Sequence, residues 1–223
     1  GGGANNTVSA VLEQPDGKLG VAGSFTTFNG QARNFLVRFD PATLVLDTFP
    51  NGTGFNGPVR ALARDPVTGD IVAGGTFTQV NGQARTNLVR LSALTGDVDG
   101  TLAAVGTDGT VLAVAVQSDR AIVFGGQFTH VNRPSVVLPA DVGYLARVSS
   151  AGVLDLAFSV TTPKANDFVN TLVGQTLPNS GGDRLLVGGM IAFFAKIANE
   201  VLADPPGDTV GRANGNESRS FGC

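Results

Sequence analysis

The chain has 223 residues, 42% of them hydrophobic and 15% charged, with 31 glycines and a formal net charge of −3. That apolar content excludes a disordered polymer, the glycines follow no collagen period, and no run of Lys or Arg is present to track a phosphate backbone, so nucleic acid is not an expected partner. A chain of this length buries roughly 70 to 75% of its unfolded surface without staples, and its one cysteine, Cys223, excludes an internal disulfide and a thiolate metal cluster.

In chain order, the first predicted strand is "TVSAVLEQ" (7–14), followed by the turn "PDG", a second strand "KLGVAGSF" (18–25) that runs into glycine, and the turn pair Asn29-Gly30. Asn-Gly favours the positive φ angles of a tight hairpin. A third strand, "NFLVRF" (34–39), and a fourth around Asp47 complete the unit. The pattern then restarts with "PVRALARD" (58–65), "DIVAGGTF" (70–77), Asn81-Gly82, "NLVRL" (87–91) and Asp99. Between residues 22–39 and 74–91, eleven of 18 positions are identical.

A third unit reads "TVLAVAVQ" (110–117), "AIVFGGQF" (121–128), "YLARV" (144–148) and Asp155, with a six-residue insertion before its third strand. The landmarks Phe25, Phe77 and Phe128 step by 52 and 51 residues. In a fourth, degenerate unit, "GGMIAFFAKIANEVLA" (188–203) aligns with 22–37 but lacks the Phe-Thr and Asn-Gly pairs, and read alone it also suits an amphipathic helix. The polar tail after 203 suits a weak last strand or a disordered segment. The longest apolar stretch, 185–195, is 11 residues, short of the roughly 20 that span a bilayer. No charged segment followed by an apolar one marks a signal peptide in these residues.

Repeats of about 52 residues with four strands each predict an all-β protein of β-propeller type, with three regular four-stranded blades and a degenerate fourth. The whole chain, 1–223, is expected to form one such domain, with units at about 7–57, 58–109, 110–168 and 169–223. Inner strands crowd the propeller axis, which suits Ala10, Ala61, Ala63, Ala113 and Ala115. The Gly-Gly pairs at 74–75, 125–126 and 188–189 suit close approach of one backbone to another.

The stretch "QPDGKLGVAGSFTTFNGQARNFLVRFDPATLVLDTF" (14–49) resembles the delta-sixty repeat of bacterial β-propeller-like proteins. The resemblance extends from residue 7 to about 160. It implies a β-propeller in an exported or cell-surface protein, and it brings no catalytic residues with it.

Residues that recur in every unit are best explained by what every unit needs. Phe25, Phe77 and Phe128 read as core anchors, and Thr26, Thr78 and Thr129 as partners of local backbone. Arg38, Arg90 and Arg147 stand nine, nine and eight residues before Asp47, Asp99 and Asp155. That spacing allows charge-assisted pairing between neighbouring strands or blades; the alternative is an arginine ring that binds an anion at the channel mouth. "GDVDGT" (96–101) resembles a calcium loop, but Asp99 falls in register with the repeat. No catalytic residue, cofactor or metal is expected, because His130 is the only histidine and no ligand-spaced carboxylates accompany it.

Specificity should sit where the repeat is broken, at the insertion 133–143. His130, Arg133, Asp141 and Tyr144 lie in or beside it and are the candidate binding residues. The expected function is a non-catalytic binding or structural module that mediates protein–protein contact or self-association. Its partners would be a second copy, the remainder of a longer chain, or a protein or glycan ligand. The alternative is a carbohydrate-active enzyme or hydrolase using carboxylates on propeller loops.

Overall fold

A computed structural model describes residues 2–50, 52–133, 136–160, 165, 167–176, 183–189, 201–203, 212–214 and 217–219. Unit one contains β1 (Val8–Glu13), β2 (Leu19–Gly23), β3 (Thr27–Phe28), β4 (Gln31–Ala32) and β5 (Leu36–Phe39). Unit two repeats it with β6 (Val59–Arg64), β7 (Ile71–Gly75), β8 (Gln79–Val80), β9 (Gln83–Ala84) and β10 (Leu88–Leu91). Unit three has β11 (Val111–Val116), β12 (Ile122–Gly126), β13 (His130–Arg133), β14 (Val136–Asp141) and β15 (Leu145–Val148). The fold is all-β and of propeller type. Within each regular unit the first, second and last of these strands form one antiparallel sheet, in the orders β1-β2-β5, β6-β7-β10 and β11-β12-β15.

The Asn-Gly pairs sit at the tips of the small hairpins β3-β4 and β8-β9. Both residues have positive φ there, 49° and 75° for Asn29 and Gly30, and 50° and 75° for Asn81 and Gly82, which is the geometry such a tight turn requires. In unit three this tip is the longer hairpin β13-β14, built from the insertion.

The fourth strand of each regular unit is reduced to a single antiparallel bridge: Phe39 with Leu46, Leu91 with Val98, and Val148 with Leu154. The aspartate that follows explains the shortness. Asp47 accepts a bond from Phe49 N–H at 2.8 Å, Asp99 caps the 3-10 turn Gly100–Leu102 through Thr101 N–H, and Asp155 accepts from Phe158 N–H at the start of the helix α1 (Leu156–Val160). An Asx side chain that captures an N–H two or three residues ahead favours a turn over a continued ladder.

Every unit carries the same irregularity in its first hairpin, a register shift at Val8/Ala10, Val59/Ala61, Val111/Ala113 and Val169/Thr171. Opposite it stands a glycine whose hypothetical Cβ would collide with backbone: Gly23 with Thr7 O, Gly75 with Pro58 O, Gly126 with Thr110 O, and Gly189 with Phe168 O. The glycine doublets are thus half explained by the bulge. Their first member is explained by the neighbouring unit, since a Cβ on Gly74 would strike Val111 and one on Gly125 would strike Val169.

The core is divided by junctions between units. One cluster joins Ala22 and Leu36 of unit one to Val59, Ile71 and Ala73 of unit two. A second joins Val72 and Leu88 to Val111, Val114 and Ile122, and a third joins Ala113 and Val123 to Val169, Leu172 and Leu185. Each unit therefore sets its leading face against the trailing face of the unit before, where an alanine or glycine receives a valine and aliphatic side chains pack beside it. A fully buried valine or isoleucine contributes about 1.5 to 3 kcal/mol. Phe25, Phe77 and Phe128 are buried, and Phe77 packs edge-on against Phe55 with centroids 4.9 Å apart.

In the fourth unit, β16 (Val169–Thr176) and β17 (Asp183–Gly189) form the antiparallel first hairpin, bulge included. The next strand, β18 (Val201–Ala203), runs parallel to β17, with Leu185 opposite Val201. This departs from the antiparallel third strand that alignment to residues 22–37 implies. The lost Asn-Gly pair is the reversal that returns the chain antiparallel in units one and two. Residues 190–200, which read as either strand or helix, lie outside the described residues. A last hairpin pairs β19 (Arg212–Asn214) with β20 (Glu217–Arg219). Among the described residues no helix is long and apolar enough to cross a membrane.

Candidate functional site

The recurring arginines project from the third strand of each regular sheet. Arg38 Nε lies 2.7 Å from Asp47 Oδ2, Arg90 Nε 2.8 Å from Asp99 Oδ2, and Arg147 Nε 3.0 Å from Asp155 Oδ2. Arg147 also bonds Gln117 and Asp155 of its own unit, whereas Arg38 and Arg90 each send a further donor to the following unit. Arg38 Nη1 donates to Ala93 O at 2.6 Å and Arg90 Nη1 donates to Ser150 O at 2.9 Å. Arg90 Nη2 also meets Thr101 Oγ1. Arg38 and Arg147 stack on Phe49 and Phe158, at 4.2 and 4.8 Å from the ring centroids. This geometry is a latch within and between units. Each guanidinium nitrogen of Arg38 and Arg90 is engaged by a protein acceptor and both side chains are nearly buried, so they are not presented as an anion-binding ring.

These bonds set the carboxylates. Burial acts to raise Asp47, but donors from Phe49 N–H, Arg38 and Lys18 outweigh it and hold the group below its ordinary value. In Asp99 burial is likewise outweighed by Thr101 and Arg90, and in Asp155 by Phe158 N–H and Arg147. In "GDVDGT", Asp99 faces Arg90 and Asp97 Oδ2 accepts from Thr95 Oγ1, so the carboxylates of the calcium-like stretch point to protein donors. Among the described residues no group of three or more His, Cys, Asp or Glu could hold a metal ion.

A second recurring set lies three residues before the first strand of each regular unit. Asn5 Oδ1 accepts from Thr26 and Thr27 N–H, Asn56 Oδ1 from Thr78 and Gln79 N–H, and Asp108 Oδ1 from Thr129 and His130 N–H. The hydroxyls of Thr26, Thr78 and Thr129 bond these Asx side chains, correcting the expectation that they meet local backbone. The sequence carries the signal in "ANNTV", "FNGPV" and "TDGTV", where Asx precedes the first strand by a fixed distance.

The third unit alone has a carboxylate there, and His130 turns toward it. His130 Nδ1 is 3.0 Å from Asp108 Oδ2 and 2.9 Å from Thr129 Oγ1. An ionised carboxylate only accepts, so the ring presents Nδ1–H to it. Burial acts to raise the Asp108 carboxyl, but the His130 N–H and ring and the Thr129 N–H and hydroxyl outweigh it and lower the group to about 2. His130 and Asp141 are opposite one another in the β13-β14 ladder, which makes the insertion a hairpin standing beside this cluster. Tyr144 is half-buried with its ring edge-on to Phe168, centroids 5.4 Å apart, and so it packs toward the fourth unit. Arg133 is the last residue of β13, and its side chain and that of Asp141 lie outside the described residues.

A groove of about 290 Å³ opens between residues 32–36 and residues 48–54 of unit one, where Arg33, Asn34, Thr48 and Thr53 supply polar walls and Leu36 and Pro50 apolar ones. Arg33 is held along its wall by Ala32 O and Gln31 Oε1.

Comparison with protein families matches residues 14–48 and 68–102 to the domain of unknown function (DUF5122) beta-propeller. Comparison with curated proteins returns no match. The two matched segments are corresponding stretches of units one and two, running from the first hairpin turn past the latch aspartate, and the match attaches no activity to them. The chain is thus a repeat protein of β-propeller kind.

Proposed function

We propose that this chain is a non-catalytic binding or structural module, acting through protein–protein contact or self-association. The observation that carries the reading is the destination of the recurring polar groups. The latch arginines, their aspartates and the Asx side chains bond to strands and turns of the scaffold, which is what repeated residues do when they serve the fold. The finer assignment to the delta-sixty repeat, and with it an exported or cell-surface location in a bacterium, rests on the motif at 14–49.

The competing reading is a carbohydrate-active enzyme or hydrolase working through loop carboxylates. Such chemistry needs a carboxyl held neutral at working pH as a general acid. Among the described residues, the aspartates with a resolved shift, Asp47, Asp65, Asp99, Asp108 and Asp155, are all moved the other way. A turnover screen against glycosides, esters and lactones separates the two. Turnover abolished by Asp108→Asn or Asp141→Asn would establish the enzyme. No turnover, together with ligand or partner binding lost when 133–143 is replaced by the short Asn-Gly turn of unit one, is the outcome expected here. His130, Arg133, Asp141 and Tyr144 are the residues proposed to be displayed or positioned by that segment.

A further inference from the structure

The three junctions between units follow one rule, and both ends of the series leave it unfulfilled. On the leading face, Val59, Val111 and Val169 are each 0% exposed against the preceding unit, whereas their counterpart Val8 is 44% exposed. Val11 is 60% exposed, while its counterparts Val114 and Leu172 are buried. On the trailing face, Val72 and Val123 are fully buried by the unit that follows, and their counterpart Leu186 is 39% exposed. Val173 is 52% exposed where its counterpart Ala115 is buried. Gly188 occupies the position at which Gly74 and Gly125 receive Val111 and Val169, and a Cβ there would meet Thr171 of its own unit.

We infer that the leading face of unit one, centred on Val8 and Val11, binds the trailing face of unit four, centred on Gly188, Val173 and Leu186, of a second copy of this chain. The inference rests on the reading of the chain as an association module. The occupant is argued from continuity: the two open faces are the two halves of an interface that the chain already makes three times. The fit repeats a valine set over glycine, with aliphatic side chains beside it. A face that joins to a different face is a head-to-tail contact, which either closes or propagates.

The test is light scattering coupled to size exclusion, with sedimentation, on the chain and on Val11→Lys and Leu186→Lys. Both side chains are already partly exposed, so neither change disturbs a junction, and circular dichroism checks that the sheet signal is kept. The expected result is a particle of twice the chain mass, or a concentration-dependent series, with the dissociation constant raised at least ~10-fold by either change. In a Cys223→Ser background, a mixture of Val11→Cys and Leu186→Cys chains should form a disulfide between copies, and neither chain alone should. A monomer at all concentrations overturns the inference. So does a chain carrying both cysteines that cross-links within itself, which would mean that unit four closes on unit one of the same copy. Association that both lysine changes leave intact also overturns it, because the contact then lies elsewhere. None of these outcomes bears on the non-catalytic reading, which the turnover screen decides.

Discussion

The junction between units one and two and the junction between units two and three occupy equivalent places and are bonded by different chemistry. At the first, Gln14 Nε2 reaches Ala93 O at 3.4 Å and Gln14 Oε1 accepts from Arg38 at 3.1 Å, a neutral amide bridging two units. At the second, the position of Gln14 is taken by Asp65, which is almost fully buried and accepts from Arg120 Nε of unit three at 2.8 Å. Arg120 holds a φ of 68° where unit one has Gly17 at 79°. A left-handed arginine costs of order 1 kcal/mol, and the ion pair it makes offsets that cost. The slot is fixed by the fold, and two unlike pairs fill it.

The largest effect should come from breaking the charged version alone. Asp65→Ala removes the partner of Arg120 and the acceptor of Val67 and Thr68 N–H together, and should cost about 3 kcal/mol in urea unfolding. Gln14→Ala removes neutral bonds only and should cost about 1 kcal/mol. Equal losses would erase the distinction between the junctions. Asp65→Gln with Arg120→Gly rewrites the second junction as the first. That double variant should lie between the parent and Asp65→Ala, about 1 to 2 kcal/mol below the parent, because the amide needs no counter-charge and the glycine relieves the backbone while Val67 and Thr68 N–H lose their carboxylate acceptor. A double variant as unstable as Asp65→Ala would show that the charge itself is required.

The same contrast explains what can be read in advance. Steps of 51 and 52 residues locate the hairpins, because a strand pattern with Asn-Gly and glycine doublets has few other solutions. The fate of the fourth strand is hidden, since whether Asp47 joins a ladder or captures Phe49 N–H depends on geometry that spacing does not encode. The parallel pairing of Val201–Ala203 is equally out of reach, because alignment by a constant offset assumes that the chain reverses as in unit one. Asp65 with Arg120 escapes for a different reason. Each departs from the repeat, and a search for what recurs passes over paired departures. The displayed region shows the same limit: Tyr144 is unique in sequence, yet its ring packs on Phe168.

The smallest and most specific effect concerns Asp108, which differs from its counterparts Asn5 and Asn56 by its charge. The Asp108→Asn variant would keep the acceptor for Thr129 and His130 N–H, as Asn5 and Asn56 do in their units, and would lose the charged partner of His130 Nδ1. Both side chains of that pair are more than two-fifths exposed, so the loss at pH 7 should stay under about 1 kcal/mol. The pH dependence is the sharper readout. The folded carboxyl sits at about 2, below its ordinary value of 3.8, so its contribution is fully present above the ordinary value and is lost as pH falls toward 2. The gap in urea midpoint between parent and variant, measured at steps from pH 5 down to the lowest pH at which both remain folded, should therefore narrow. A gap that stays constant over that range would mean that the charge on Asp108 adds nothing beyond what asparagine supplies, and that the third unit is bonded at this post just as the first two are.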